Sequence, residues 1–228
     1  MQSAYAVKST LKILSELKRA GKHHIRYLGK RLVVYPHVFS PAYFGDSLFF
    51  AKEIPIRRGE IILDVGTGTG ILAIASVNKK AKKVVGVDFN PNAIINAKEN
   101  IKIYGMEKKI SIYKGNLFYP FRNEKFTTIV WNFPFCNTKA KSYLEKSVFD
   151  YQYKSLERFL KEAKKHLKKN GRIILGFSPD LGDEKLLKKI IHKKGYGQKL
   201  ICEKKSTQSH VRGAQKRVRY QLFELRPN

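Results

Sequence analysis

Three glycines stand close together in the short turn "GTGTG", at Gly66, Gly68 and Gly70. They follow the apolar run "IILDV", which predicts a buried strand, and they precede a helical pattern. Glycine permits positive φ angles and lets the backbone approach a ligand closely. Asp64 lies just before the turn and Asp88 ends the next predicted strand, where a carboxylate can accept both ribose hydroxyls of a nucleoside. The pattern predicts a site for a ligand that contains a nucleoside; a tight turn with two capping or solvated acids is the alternative.

The spacing of the glycines separates two kinds of nucleotide site. A dinucleotide fingerprint, G-x-G-x-x-G, would require glycine at position 71, which is Ile71. The pattern G-x-G-x-G behind an acid instead resembles motif I of the class I S-adenosylmethionine-dependent methyltransferases, and the resemblance extends from Glu60 to Phe177. It implies an enzyme with S-adenosylmethionine as cofactor and disfavours a dehydrogenase.

The resemblance also implies a set of cofactor-binding residues. Asp64 would lie near the cofactor's ammonium group, Asp88 would bind its ribose, and Phe89 would border its adenine. In "KGNLF", Asn116 stands where family members often have aspartate, so its amide oxygen would accept the adenine amino group without a charge. The full predicted set is Asp64, Gly66, Thr67, Gly68, Gly70, Asp88, Phe89, Asn116 and Leu117.

The predicted strand "TTIVW" runs directly into "NFPF", residues 132–135. This tetrapeptide resembles the (Asn/Asp)-Pro-Pro-(Tyr/Phe) motif of methyltransferases that act on planar nitrogens, including adenine N6, guanine N2 and glutamine amide enzymes. The resemblance implies that the side-chain carbonyl of Asn132 and the backbone carbonyl of Phe133 accept the two N–H groups of the target. Pro134 would stiffen the turn, and Phe135 would stack on the flat target group.

Two features of this region leave alternatives open. Phe133 replaces the usual first proline, so the motif can also be read as an apolar strand end that packs both phenylalanines into the core. The upstream segment "YPHVFSP" resembles a segment of release-factor glutamine methyltransferases and of ribosomal RNA guanine-N2 methyltransferases. That likeness makes Phe39, Pro41 and Phe44 candidates for lining the pocket, and a packed aromatic loop is the alternative.

The rest of the chain supplies the elements that would position these residues. Alternating strand and helix patterns from Glu60 onward predict a mostly parallel sheet with helices on both faces. We predict an α/β, Rossmann-like class I methyltransferase fold whose seven-stranded sheet ends in an antiparallel C-terminal hairpin. Residues 1–45 would form a helix and a hairpin in front of the catalytic domain, residues 46–228. Asp46 or Ser47 is the expected N-cap of the first helix of that domain. The amphipathic pattern "SLERFLKEAKKHLKK" predicts a helix over residues 155–169 that ends at Asn170-Gly171. A mobile polar loop is expected at 205–216.

The amino-acid composition, above all its excess of basic residues, indicates which kinds of partner the protein binds. The 46 Lys and Arg residues against 18 Asp and Glu residues give a net charge of +28, which favours RNA or a ribonucleoprotein as partner. No apolar run of membrane-spanning length and no metal-ligand spacing is present, so neither membrane nor metal is expected, and the cytoplasm is the default location. The sequence leaves the oligomeric state open. We expect N-methylation of an exocyclic amine of an RNA nucleobase, which the many basic residues favour, or of a glutamine amide in a ribosome-associated protein. Methylation of a small molecule and a non-catalytic nucleic-acid-binding module on a methyltransferase fold are the alternatives.

Overall fold

A computed structural model describes residues 4–207 and 217–228 of the chain. Most of the polar loop expected at 205–216 therefore lies outside the described residues, and residues 205–207 belong to a strand. Within the described residues, the strands are β1 (His23–Tyr27), β2 (Lys30–Val34), β3 (Ile61–Val65), β4 (Lys83–Asp88), β5 (Ile110–Lys114), β6 (Phe126–Trp131), β7 (Leu167–Phe177), β8 (Tyr196–Thr207) and β9 (Arg217–Pro227). The α-helices in the same part of the chain are α1 (Ala4–Arg19), α2 (Asp46–Glu53), α3 (Ile71–Asn78), α4 (Pro91–Tyr104), α5 (Tyr143–Lys146), α6 (Lys154–His166) and α7 (Glu184–Lys193).

Strands β3 to β9 form one seven-stranded sheet in the order β5-β4-β3-β6-β7-β9-β8. The first five of these are parallel, and β9 pairs antiparallel with both β7 and β8. The predicted parallel sheet with an antiparallel C-terminal hairpin is confirmed. From the centre of the sheet the chain moves outward in one direction through β4 and β5 and in the other through β7. The strand order therefore reverses between β3 and β6, where open α/β sheets bind ligands beyond the carboxyl ends of their strands.

The helices form two layers because crossovers between parallel strands are right-handed. Helix α3 follows β3 and leads outward to β4, whereas α6 follows β6 and leads outward in the opposite direction, so the two helices lie on opposite faces of the sheet. Helix α3 contacts both α2 and α4, and α6 contacts α7. No helix in the described part of the chain is long and apolar enough to cross a membrane.

The N-terminal helix and hairpin pack on the main sheet domain and share its core. Leu14 and Leu32 are buried in the same cluster as the central strands. The backbone amide of Val33 in β2 donates to Oδ1 of Asn100 at 2.8 Å, and its carbonyl accepts from Nδ2 of Asn96 at 2.8 Å. The hairpin is thus tied to α4 by side-chain amides, while the domain boundary after residue 45 stays a prediction.

Two local predictions about helix ends are wrong. Gly45, not Asp46 or Ser47, is the N-cap of α2, and it makes no side-chain cap. Helix α6 ends at His166 rather than near residue 169, because Leu167 is buried and pairs with Phe126 in the sheet.

Candidate active site

A cavity of about 690 Å³ lies beyond the carboxyl ends of β3, β4 and β6. This volume is within the range of about 300–1,000 Å³ that is usual for small-molecule sites. It brings together most of the residues predicted from the sequence: Phe39, Phe44, Gly66, Thr67, Gly68, Asp88, Phe89, Asn116, Leu117, Asn132, Phe133, Pro134 and Phe135. Asp64, Gly70 and Pro41 are buried beside the cavity but are not among its lining residues.

The glycine turn forms one wall of the cavity. Gly66, Gly68 and Gly70 all have positive φ, at 64°, 55° and 81°, a backbone conformation that side chains with a Cβ rarely adopt. The backbone amide of Gly68 donates to Oδ2 of Asp88 at 2.9 Å. The three glycines are therefore required by the path of the backbone, and Asp88 fixes the turn from the neighbouring strand.

Asp64 lies beneath the turn and supports it. Its side chain is buried, and its Oδ2 accepts from the Thr67 hydroxyl at 2.7 Å, while its Oδ1 has no hydrogen-bond partner. Burial is the main cause that raises the pKa of Asp64 to about 7; the Thr67 hydrogen bond opposes the rise, and the negative charge of Asp88 contributes to it. A cationic group on a ligand would favour the ionised form of this carboxyl. The contact between Asp64 and the ammonium group of the cofactor stays a prediction.

Asp88 fixes neighbouring backbone at the end of β4 and also lines the cavity. Its Oδ1 accepts from the backbone amide of Asn90 at 2.9 Å, in addition to the bond from Gly68 to Oδ2. Burial raises its pKa, and these backbone donors counteract that rise. Carboxylate oxygens have lone pairs beyond those used by one donor each, so both can accept further bonds from hydroxyl groups in the cavity.

The residues predicted at the adenine end lie together at one side of the cavity. The rings of Phe89 and Tyr143 are 5.7 Å apart, with an angle of 40° between their planes. Leu117 is buried with φ of 55°, and Asn116 before it is exposed. The backbone carbonyl of Asn116 accepts from Nη2 of Arg158 at 3.5 Å. The adenine contacts of Phe89 and Asn116 stay predictions.

Asn132 reaches the cavity from the end of β6 and is oriented by a residue that sequence analysis did not assign to the site. Its Nδ2 donates to Oδ2 of Asp46 at 2.9 Å, and its Oδ1 is buried without a hydrogen-bond partner. An ionised carboxylate can only accept hydrogen bonds, so Asp46 must face the NH₂ group. The free carbonyl oxygen of Asn132 is thereby left for another donor.

Asp46 is itself held firmly in the first turn of α2. Its side chain is 3% exposed, and its Oδ1 accepts from the backbone amide of Ser47 at 2.8 Å. Burial raises its pKa to about 6, and the hydrogen bonds from Asn132 and Ser47 oppose the rise. Above that pH the carboxylate is ionised and accepts a charge-assisted hydrogen bond from Asn132. The sequence around Asp46 indicated only a helix N-cap, and no motif in it connected Asp46 with Asn132.

The two phenylalanines of the motif have different environments from one another. The Phe133 side chain is 1% exposed and stacks parallel to Phe177, with ring centroids 6.2 Å apart. Phe135 is 8% exposed, and its backbone carbonyl accepts from the Tyr153 hydroxyl at 2.5 Å. That hydroxyl also accepts from the backbone amide of Asp183 at 2.7 Å. Tyr153, a second residue without a sequence signal, therefore fastens the loop that follows β6.

The upstream segment contributes two aromatic rings to the cavity. Phe39 and Phe44 stack on each other, with centroids 4.6 Å apart and planes at 17°. Both line the cavity. In the described part of the chain, no cluster of three or more His, Cys, Asp or Glu residues could hold a metal ion.

Known proteins resemble this chain in sequence and in fold. Residues 30–199 match the family model of the methyltransferase small domain. The chain is 35% identical over 169 residues to a protein of Methanocaldococcus jannaschii provisionally named a protein N5-glutamine methyltransferase, and the match covers 71% of this chain and 83% of that one.

A second relative and a solved structure extend the comparison. The chain is 32% identical over 152 residues to the release factor glutamine methyltransferase of Aquifex aeolicus; the match covers 62% of this chain and 53%, about half, of that relative. In fold it resembles a chain provisionally described as a methyltransferase and solved in complex with SAH. That likeness has a TM-score of 0.64 at 15% identity and covers 90% of this chain and 56% of the other.

The fold is that of a class I methyltransferase. The chain belongs to the methyltransferase small domain family and is an S-adenosylmethionine-dependent enzyme. The cavity fits this cofactor, because the glycine turn lets backbone approach a ligand closely and the buried carboxylate of Asp88 lines the cavity at the end of β4.

Proposed function

We propose that the protein transfers a methyl group from S-adenosylmethionine to the side-chain amide nitrogen of a glutamine residue in a protein. The observation that carries this proposal is the buried Oδ1 of Asn132, which has no partner and is oriented by Asp46. The names of the two relatives support the glutamine target, and the match with the Methanocaldococcus jannaschii protein covers 83% of that protein.

The chemistry of an amide explains why such an acceptor is needed. The lone pair of a planar amide nitrogen is delocalised, so the nitrogen is a weak nucleophile and depends on accurate placement. Oδ1 of Asn132 accepts one N–H of the target, and the backbone carbonyl of Phe133 accepts the other. Bound S-adenosylmethionine supplies an electrophilic methyl group, and the two carbonyl dipoles stabilise the positive charge that develops on the nitrogen.

The surrounding rings hold this pair of acceptors in place. The family motif has proline at position 133, whereas here the buried Phe133 ring packs between Tyr153 and Phe177, at 5.5 Å and 6.2 Å between centroids. Packing of a large aromatic side chain in a dense core restricts the backbone to which it is attached. We infer that the buried ring replaces the rigidity of the missing proline. Phe135, at the cavity wall, is the ring available to the flat target group.

An exocyclic amine of an RNA base is the second candidate target. It presents the same planar N–H₂ geometry to the two acceptors, and the net charge of +28 favours a polyanion. The two targets differ in what they are attached to, so the chemistry at Asn132 is common to both.

The identity of the methylated product tests the proposal. Purified protein is incubated with tritiated S-adenosylmethionine and a cell extract, and the labelled material is divided between RNase and protease digestion. Release of label by protease only, with N5-methylglutamine found by mass spectrometry, is the expected result. Label released by RNase as a methylated base would overturn the glutamine target in favour of the nucleobase, and the Asn132→Ala protein serves as the control for label transferred by other enzymes.

A further inference from the structure

One face of α6 carries four basic residues in a single row: Lys154, Arg158, Lys161 and Lys165, here called the basic track. All four are exposed. Their spacing of four, three and four residues places them on one side of an α-helix, over a length of about 16 Å at a rise of about 1.5 Å per residue. The track therefore presents regularly spaced cations along a line.

The track begins at the cavity. Lys154 is among the residues that line it, and Arg158 donates to the backbone carbonyl of Asn116, which lines it as well. Lys161 and Lys165 continue the row away from the mouth of the cavity. A polyanion that lies along this row thus has one end at the site of methyl transfer.

Few acidic groups oppose the track. Glu157 is occupied by Lys193 and Lys194 of α7, at 3.5 and 2.7 Å, and Glu162 faces Arg158 at 2.8 Å. Within the described residues, Lys154, Lys161 and Lys165 form no ion pair. Three of the four cations are therefore available to an external anion.

Exposed aromatic rings lie at the same end of the track. Tyr143 and Tyr151 line the cavity and are 53% and 41% exposed. The ammonium group of Lys139 lies 5.3 Å from the centroid of the Tyr151 ring. Exposed rings beside a row of cations are the combination with which proteins bind single-stranded nucleic acid, because bases stack on the rings while phosphates contact the cations. An acidic peptide would use the cations and leave the rings without a role.

We propose that the basic track and the two exposed tyrosines bind a single-stranded segment of RNA at the mouth of the cavity. The binding itself depends only on charge and stacking. One consequence rests on the proposed function: the protein that is methylated is then one that is bound to RNA. Contacts of the track with phosphates release counterions, so affinity should fall steeply as salt is raised.

Fluorescence anisotropy with a labelled oligouridylate of about 12 nucleotides, a length within the usual site size, tests the proposal on the full chain. The double variant Lys161→Gln/Lys165→Gln removes two track cations that do not line the cavity. Its matched control, Lys98→Gln/Lys102→Gln, removes two exposed cations with the same spacing from α4, on the opposite face of the sheet. Both variants lose the same net charge, so they separate the track from the charge of the whole protein.

The track variant should bind the RNA about tenfold more weakly at 50 mM salt, and the slope of log affinity against log salt should decrease by about 1.4, or about 0.7 per lost contact. The control should keep the affinity and slope of the parent. Equal losses in the two variants, or equal affinity of the parent for a labelled oligoglutamate of the same length, would overturn the proposal.

Cofactor binding and folding distinguish this proposal from the proposed function. Calorimetric titration with S-adenosylmethionine and thermal unfolding of Lys161→Gln/Lys165→Gln should match the parent, because both side chains are exposed and outside the cavity. If no N5-methylglutamine forms, the proposed function fails but the anisotropy result is unaffected. If the track variant loses no more RNA affinity than the control, the RNA-binding proposal fails but the proposed methyl transfer is unaffected.

Discussion

Asn132 and Asp46 are 86 residues apart in sequence, and Nδ2 of the former donates to Oδ2 of the latter at 2.9 Å. The bond decides which end of the Asn132 amide faces the cavity. Because the carboxylate accepts only, the carbonyl oxygen is the group left to receive an N–H from a target. The proposed methyl transfer therefore depends on a buried acid that lies upstream of the glycine turn in the chain.

Asp46→Asn should disable transfer while sparing the cofactor. Oδ1 of residue 46 must still accept from the Ser47 amide, so the new NH₂ group would face Nδ2 of Asn132, donor against donor. The Asn132 amide then turns over and presents NH₂ to the target. We expect a fall in turnover of about 100-fold, the usual effect of losing one aligned group in a transition state, with cofactor affinity measured by calorimetry near that of the parent.

The exchanged pair Asp46→Asn/Asn132→Asp is the control for that prediction. The amide introduced at position 46 would donate to one oxygen of the carboxylate introduced at position 132. The other oxygen of that carboxylate would be a free acceptor in the cavity, so part of the turnover should return. A purely structural role for Asp46 predicts instead that the double variant is as inactive as the single one.

Asp88→Ala should weaken the cofactor first. It removes the acceptor for the Gly68 and Asn90 amides as well as the predicted acceptor for the ribose. Loss of hydrogen bonds to a buried carboxylate costs about 1.5–3 kcal/mol, which corresponds to a rise in the cofactor dissociation constant of about 10- to 150-fold. Calorimetry measures this rise, and the exposed Glu107→Ala is the matched control. An unchanged dissociation constant would remove Asp88 from the cofactor site.

Asp64→Asn should stabilise the protein without cofactor, and more at high pH than at low pH. The pKa of Asp64 is about 7 in the folded chain and about 3.9 in an unfolded one. Between these values the folded state binds more protons, so the free energy of unfolding falls as pH rises. Asparagine cannot ionise and avoids this loss.

Urea unfolding at two pH values measures that difference. We expect the variant to gain about 1–3 kcal/mol at pH 8 and close to nothing at pH 4, where the parent carboxyl is protonated in the folded state. A gain that is the same at both pH values would assign it to packing and not to the buried charge.

Local patterns in the sequence were enough to predict the sheet, the glycine turn and the acids at the ends of β3 and β4. Those residues are close together in the chain. Glycine predicts the positive φ angles of the turn, and the pattern of apolar residues predicts which strands are buried. The role of Asp46 could not be predicted because it depends on α2 lying against the end of β6, which only the tertiary fold sets. The end of α6 was misplaced for a similar reason: Leu167 is withdrawn from the helix by its pairing with Phe126.

Phe133 shows the limit of a motif as a predictor. Its replacement of proline left open whether the ring lies in the site or in the core. The ring is in contact with Trp131, Tyr153 and Phe177, residues that belong to separate elements of the fold. Its burial is therefore a property of the assembled core.

Turnover and cofactor affinity of Asn132→Ala, measured on the same preparation, test the central claim most directly. Tritium transfer to the protein substrate should fall by about 100- to 1,000-fold, as for removal of one group that stabilises developing charge, and the dissociation constant of S-adenosylmethionine should stay near that of the parent. Unchanged transfer, or a loss explained entirely by weaker cofactor binding, would contradict the role of the Asn132 oxygen as acceptor for the target nitrogen.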